Sequence, residues 1–229
     1  NANKNIVVYN DGGASNNGKA IVGTVSGTSI SFGSEGTFNA ASTTFIGSAF
    51  DSTANKVVVA FRDDGNSDYG TAVVGTVSGT SISFGSEAVF ETNQTSLHSL
   101  AYDPDENKTV LNYRHDGASG HGKSRVGTVS GTSISFGSAV TFNAASTVSW
   151  ISSVYDTTNN KIVVGYTDGG NSSLITGIVG TVSSTSISFG TSQIIGAGIL
   201  GSTNLSFDSG NNKVNFFYYY QASPYSGNI

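Results

Sequence analysis

The chain has 229 residues, a formal net charge of −5 and only 11% charged residues, against an ordinary charged share of about a quarter. Gly, Ser, Thr and Asn fill the difference, which suits short strands and polar turns and leaves helices short of their preferred residues. The absence of a basic cluster argues against nucleic acid, no apolar run is long enough to predict membrane insertion, and the lack of cysteine excludes disulfides and thiolate metal sites.

In chain order, the first element is the apolar run Ile6–Tyr9. A polar loop at 10–18 follows, and then "VGTVSGTSISFGS" at 22–34. The same thirteen letters return at 74–86 and 126–138, and as "VGTVSSTSISFGT" at 179–191. The copies start at Val22, Val74, Val126 and Val179, spaced by 52, 52 and 53 residues. A fixed period of this length marks a repeat architecture. Asn-Lys recurs at 3–4, 55–56, 107–108, 160–161 and 212–213, and an aromatic follows at Tyr9, Phe61, Tyr113, Tyr166 and Tyr218. Phe50-Asp51, Tyr102-Asp103, Tyr155-Asp156 and Phe207-Asp208 recur likewise. The one extra residue falls between Phe136 and Tyr155 and predicts a loop there.

Each repeat reads as four strands, A to D, exemplified by "SLAYD" at 99–103, "KVVVAFRD" at 56–63, "AVVGTVS" at 72–78 and "SISFGSEAVF" at 81–90. The B strand is continuously apolar and predicts burial on both faces, whereas Ile82 and Phe84 alternate with serines and predict a half-exposed D strand. Short turn-rich A–B and C–D links read as hairpins and the B–C link as a longer hairpin loop. The expected fold is therefore all-β: a propeller of four-stranded antiparallel blades, about 52 residues each. A parallel β-helix is the rival solenoid, with shorter coils and no need for two hairpins per repeat. The expected single domain, 1–229, divides into a partial blade 1–39, blades 40–91, 92–143 and 144–196, and a partial blade 197–229. Four A, five B, four C and four D strands predict a five-bladed ring short of about thirty residues or a fragment of a larger one. Closure by a second chain is a further possibility. The start without Met predicts processing or a fragment.

The order aromatic–Asp, "NK" with an apolar run, polar loop and "SGTSISFGS" resembles the sialidase-type propeller repeat. That repeat carries an S-x-D-x-G-x-T-W box. Phe32, Phe84, Phe136 and Phe189 stand in the place of its Trp, and Gly, Ser and Thr replace its Asp. The tandem units are also similar in style to propeller arrays of phage tail-fibre and cell-surface proteins. The resemblance implies a display scaffold in an extracellular or virion-surface setting.

The copies differ most in the B–C loops: "NDGGASNNG" (10–18), "RDDGNSDYG" (62–70), "RHDGASGHG" (114–122), "TDGGNSSLI" (167–175) and "YQASPYSG" (220–227). Variation on one face beside invariant strands is what a binding scaffold shows; unconstrained drift is the plainer alternative. The candidate ligand-binding residues are Asp11, Asn16, Arg62, Asp63, Asp68, Tyr69, Arg114, His115, His121, Asp168, Asn171, Tyr220 and Tyr225. Asp11, Asp63, Asp116 and Asp168 open the loops, where Asp before Gly caps a turn. Asp63, Asp64 and Asp68 also suggest a shallow calcium site, which needs six or more oxygens. His98, His115 and His121 share one repeat and one face; a metal site competes there with chance clustering. No cofactor is expected. A sialidase-type mechanism needs an arginine cluster, a Tyr–Glu pair and an acid, and no such set stands out among Arg62, Arg114 and Arg125. Trp150 shares a slot with Phe45 and Leu97 and predicts a filler between repeats. The tail aromatics Tyr219, Tyr220 and Tyr225 predict sugar stacking or the cover of an unclosed blade. The expected function is non-catalytic carbohydrate recognition and adhesion, with a glycan or a second copy as partner. A purely structural module and a degenerate glycoside hydrolase are the alternatives.

Overall fold

A computed structural model describes residues 3–144, 147–196 and 203–218. It is all-β: the helical pieces among the described residues are two 3₁₀ turns, Gly12–Ala14 and Asp116–Ala118. The first unit holds β1 (Lys4–Asp11), β2 (Asn17–Ser26) and β3 (Ser29–Phe32), and β4 (Gly36–Asp51) leads into the second. There β5 (Lys56–Asp63), β6 (Tyr69–Ser78) and β7 (Ser81–Phe84) precede β8 (Ala88–Asp103). The third unit adds β9 (Lys108–His115), β10 (His121–Ser130), β11 (Ser133–Phe136) and β12 (Val140–Asn143). The fourth adds β13 (Val148–Asp156), β14 (Lys161–Asp168), β15 (Leu174–Ser183), β16 (Ser186–Phe189) and β17 (Gln193–Gly196), and β18 (Thr203–Asp208) pairs with β19 (Lys213–Tyr218).

The pairings are antiparallel, in the order A-B-C-D expected from the repeat. The second half of β4 pairs with β5, β5 with β6, and β6 with both β7 and the start of β8. β8 to β12 and β13 to β17 repeat the scheme. Two features differ from expectation, the first being that the D strand read at 81–90 breaks at 85–87, between β7 and β8. The second is that no link separates D from A in β4 and β8: each is one strand of 16 residues that serves two units. The extra residue of the third period falls where this continuous strand is broken, between Asn143 and Val148.

The hairpin turns follow from local chemistry. Asp51 Oδ1 accepts from the Thr53 and Ala54 amides at 3.0 and 2.8 Å. Asp103, Asp156 and Asp208 accept from their own turns in the same way. Such Asx turns satisfy amides that the hairpin leaves unpaired.

The core lies between units. Val57–Phe61 of β5 are all buried, as a strand covered on both faces requires, whereas Val7 of β1 is 44% exposed. The A strands pack against each other, β4 on β8, β8 on β13 and β13 on β18. The repeated phenylalanine reaches back to the preceding unit. Phe84 meets Phe38 at 5.6 Å, Phe136 meets Phe90 at 5.6 Å and Phe189 meets Phe142 at 5.7 Å, in the edge and tilted geometries that aromatic quadrupoles favour. Phe32 in the first described unit is 54% exposed.

The glycine after this phenylalanine has a packing reason. A Cβ on Gly33, Gly85 or Gly137 would lie 1.8, 1.9 or 1.9 Å from the carbonyl oxygen of Thr80, Thr132 or Thr185 in the following unit, so backbone itself must move. A Cβ on Gly190 would meet nothing nearer than 3.8 Å. Gly85→Ala should therefore cost about 1–3 kcal/mol by overpacking, and Gly190→Ala less than about 0.5 kcal/mol. Equal denaturation midpoints for the two variants would refute the unit-to-unit contact.

Candidate binding face

The A strand of each complete unit contains a β-bulge near its start. In β4 the register jumps from Thr44↔Arg62 to Gly47↔Ala60, so Phe45 and Ile46 oppose Phe61 alone. Leu97 and His98 in β8, and Trp150 and Ile151 in β13, occupy the same place. The first bulge residue is left-handed in all three, at φ 50° for Phe45, 55° for Leu97 and 51° for Trp150. In a bulge of this type that position is normally glycine, because a Cβ there costs roughly 1–2 kcal/mol. Here it carries Phe, Leu and Trp.

Burial does not account for those side chains. Phe45 is 40% and Trp150 46% exposed, and Leu97 is half-buried. Trp150 is thus not the filler its slot suggests; the bulge re-aims it into solvent. Together the three bulges line a cleft of about 300 Å³, closed at one end by Thr203 and Asn204 of β18. A second cavity of about 310 Å³ lies between β1 and β4, beside Ile6 and Phe50. No B–C-loop residue lines either cavity, but Arg62 of such a loop lies over Phe45 in the wall of the bulge cleft, which makes that cleft the better candidate despite its near-equal size.

The B–C loops adjoin the bulges, because each follows a B strand whose end pairs with the start of A. Arg62 lies over the Phe45 ring, 4.8 Å from its centroid, a cation–π contact. Its Nε is 2.6 Å from Asp64 Oδ1 and 3.7 Å from Asp68 Oδ1. Burial pushes the Asp64 carboxyl up, but hydrogen bonds from Arg62, Thr44 and Ser42 outweigh it and hold the group below its ordinary value. Asp63 accepts from the Gly65 amide at 3.1 Å. The three acids suggested for calcium are thus divided between an arginine and a turn. Tyr69 pairs with Asp63 across the loop and is half-buried.

In the other loops, Asp11 and Asp168 cap Gly13 and Gly170 at 2.9 and 3.1 Å, the turn role expected for Asp before Gly. Asp116 does not; it pairs with Arg114 instead, and His115 stands in the capping slot. Asn16 spends its backbone groups on Asp11 and Thr43, 2.9 Å each, and Asn171 bridges Asp168 and Leu174 at 3.1 and 3.0 Å. Both asparagine side chains are exposed. Tyr219, Tyr220 and Tyr225 lie outside the described residues.

The histidines do not converge on one point. His98 is buried in its bulge: Nδ1 donates to the Phe45 carbonyl at 2.5 Å, and Nε2 accepts from Thr95 Oγ1 at 2.9 Å. That arrangement fixes the neutral tautomer with its proton on Nδ1. Burial pushes the imidazole down to about 4, against a smaller upward pull from the Phe45 carbonyl. His115 is buried with Nε2 3.5 Å from Glu91 Oε1. His121 opposes it across the β9–β10 ladder and is half-buried. Among the described residues no group of three His, Asp or Glu side chains has metal-holding geometry.

Glu91 marks a polar cluster peculiar to the seam between the second and third units. Tyr113 donates to Glu91 Oε2 at 3.0 Å, Asn93 to Oε1 at 3.1 Å, and Arg125 Nη2 lies 3.7 Å away. Burial pushes the Glu91 carboxyl up, but Asn93, Tyr113, His115 and Lys123 together hold it below its ordinary value. The Tyr–Glu contact has the residue types of sialidase chemistry. Yet Tyr113 is 0% and Glu91 8% exposed, so the pair is part of the packing and lines neither cavity.

The sequence reading missed Phe45, Leu97 and His98 as members of a shared cleft. A signal was present: Phe45-Ile46 and Trp150-Ile151 set two apolar residues side by side and break the period-two alternation of a half-buried strand. The chain matches no protein-family model, and no curated protein matches it.

Proposed function

We propose that the chain is a non-catalytic recognition module that binds a glycan on its B–C-loop face. In this reading the four-stranded units are blades of one β-propeller domain, five-bladed or part of a larger ring. The module belongs to an adhesion protein of an extracellular or virion surface. The observation that carries the reading is the row of strained bulges. Three repeat-equivalent positions hold Phe, Leu and Trp where the backbone favours glycine, and Phe45 and Trp150 are exposed beside the loops that differ. Backbone strain of this kind clusters at functional sites. An apolar cleft ringed by a few polar groups is the common form of a small-ligand site.

A structural or assembly module is the second reading, favoured by the phenylalanine contacts that join unit to unit. A glycan array separates the two. Binding above background to at least one saccharide is expected; background signal across neutral and acidic sugars alike removes glycan recognition and leaves the structural role.

A further inference from the structure

We propose that the cleft over the three bulges takes the ring of an uncharged saccharide, stacked on Trp150. The assignment rests on the glycan-binding reading and narrows it to one ligand class at one place.

The bulge positions are equivalent, but their surroundings are not. Arg62 covers one face of the Phe45 ring. Arg114 occupies the corresponding place opposite Ser96 in the third unit, and Thr167 opposite Ser149 in the fourth. Threonine is too short to lie over an indole, and Trp150 remains 46% exposed. The largest aromatic of the row is therefore the one without an arginine above it. Thr203 lines the same cleft; it is 4% exposed, and its hydroxyl has no hydrogen-bond partner among the described residues. A flat apolar surface with a hydroxyl beside it suits a sugar ring. The sugar's C–H face meets the negative face of the indole, and its hydroxyl edge can supply the partner for Thr203 once that side chain turns its buried hydroxyl into the cleft.

The charges nearby decide the class. An acidic sugar needs a free cation, and both arginines of this face are engaged: Arg62 by Asp64 and Asp68, Arg114 by Asp116. Asp63 and Asp168 add further carboxylates at the loop openings. The two guanidiniums are thus outnumbered, and the face repels an anionic ligand. An uncharged saccharide meets no such repulsion.

Trp150 is the chain's single tryptophan, so its emission reports on the cleft directly. The test is a fluorescence titration with neutral oligosaccharides of glucose, galactose, mannose and N-acetylhexosamines, and with sialylated, sulfated and uronate counterparts. Saturable change is expected with a neutral sugar, and at least about tenfold weaker binding for its acidic counterpart. Trp150→Gly should weaken binding at least about tenfold, while Trp150→Phe keeps most of it. The glycine variant suits the positive φ, so its melting temperature should stay within about 4 °C of the parent. Preference for acidic sugars overturns the inference and leaves the glycan reading standing. So does neutral-sugar binding on the array without change in Trp150 emission, or with undiminished affinity in Trp150→Gly. No binding by either class of sugar overturns both.

Discussion

Glu91→Ala should be the most damaging single substitution at the seam between the second and third units, costing about 3 kcal/mol at neutral pH. The carboxylate is buried and accepts from Tyr113 and Asn93, with His115 and Arg125 close by. Removing it leaves the Tyr113 hydroxyl without its acceptor and the Arg125 charge, only 22% exposed at its side chain, without a counter-ion. The repeat supplies the control. Where this seam has Glu91 and Arg125, the seam before it has Asn39 and Val73 and the seam after it has Asn143 and Ile178. Glu91→Asn combined with Arg125→Val should thus be less destabilising than Glu91→Ala, because it removes the two charges together. Urea denaturation measures both. A Glu91→Ala cost below about 1 kcal/mol, or a double variant worse than the sum of its singles, contradicts the account. The carboxyl sits below its ordinary value in the folded chain, so its contribution is present above the usual carboxylate range. It is lost as pH falls through the depressed value.

Acid should weaken the fold earlier than carboxylates alone would, and His98 is the reason. Its folded value is about 4 against 6.5 for a free imidazole. Between those limits the unfolded chain binds a proton that the folded chain refuses, so unfolding gains as pH drops. Stability should be level above pH 6.5 and fall by roughly 3 kcal/mol on the way to pH 4. The groups around the ring set the size of the effect. The Phe45 carbonyl and the Asp116 charge favour the proton, Arg62 opposes it, and burial against Phe90 dominates. His98→Gln should be less stable at pH 7, since Gln cannot reproduce both ring hydrogen bonds, but its stability should vary far less between pH 6.5 and 4. Parallel pH profiles for parent and variant are incompatible with this assignment. Because His98 holds the Phe45 carbonyl, the first and second bulges are coupled through it.

Much of the fold was legible from the repeat. A period of 52 residues with two tight links and one longer loop implies an antiparallel meander, and the pairing from β4 to β17 follows it. The recurring Asp51, Asp103, Asp156 and Asp208 announced their turns, because an Asx cap is a contact within three residues. The continuous apolar B strand announced burial on both faces. The bulges were not legible in the same way. Left-handed backbone is usually signalled by Gly or Asn, and Phe45, Leu97 and Trp150 signal the opposite. Their conformation is imposed by two strands whose ladders must both be satisfied across a register jump.

The division follows from range. Turns, strand alternation and the period depend on residues a few positions apart, and the sequence by itself determined them. What lies opposite what in the neighbouring repeat was decided only by the tertiary structure. His98 on Phe45, Phe84 on Phe38 and the Gly33 backbone against Thr80 are contacts between units, and near-identical letters in each unit conceal them. The cleft belongs to that second kind. Its walls come from four successive A strands, two neighbouring residues from each, and stacking alone brings them together.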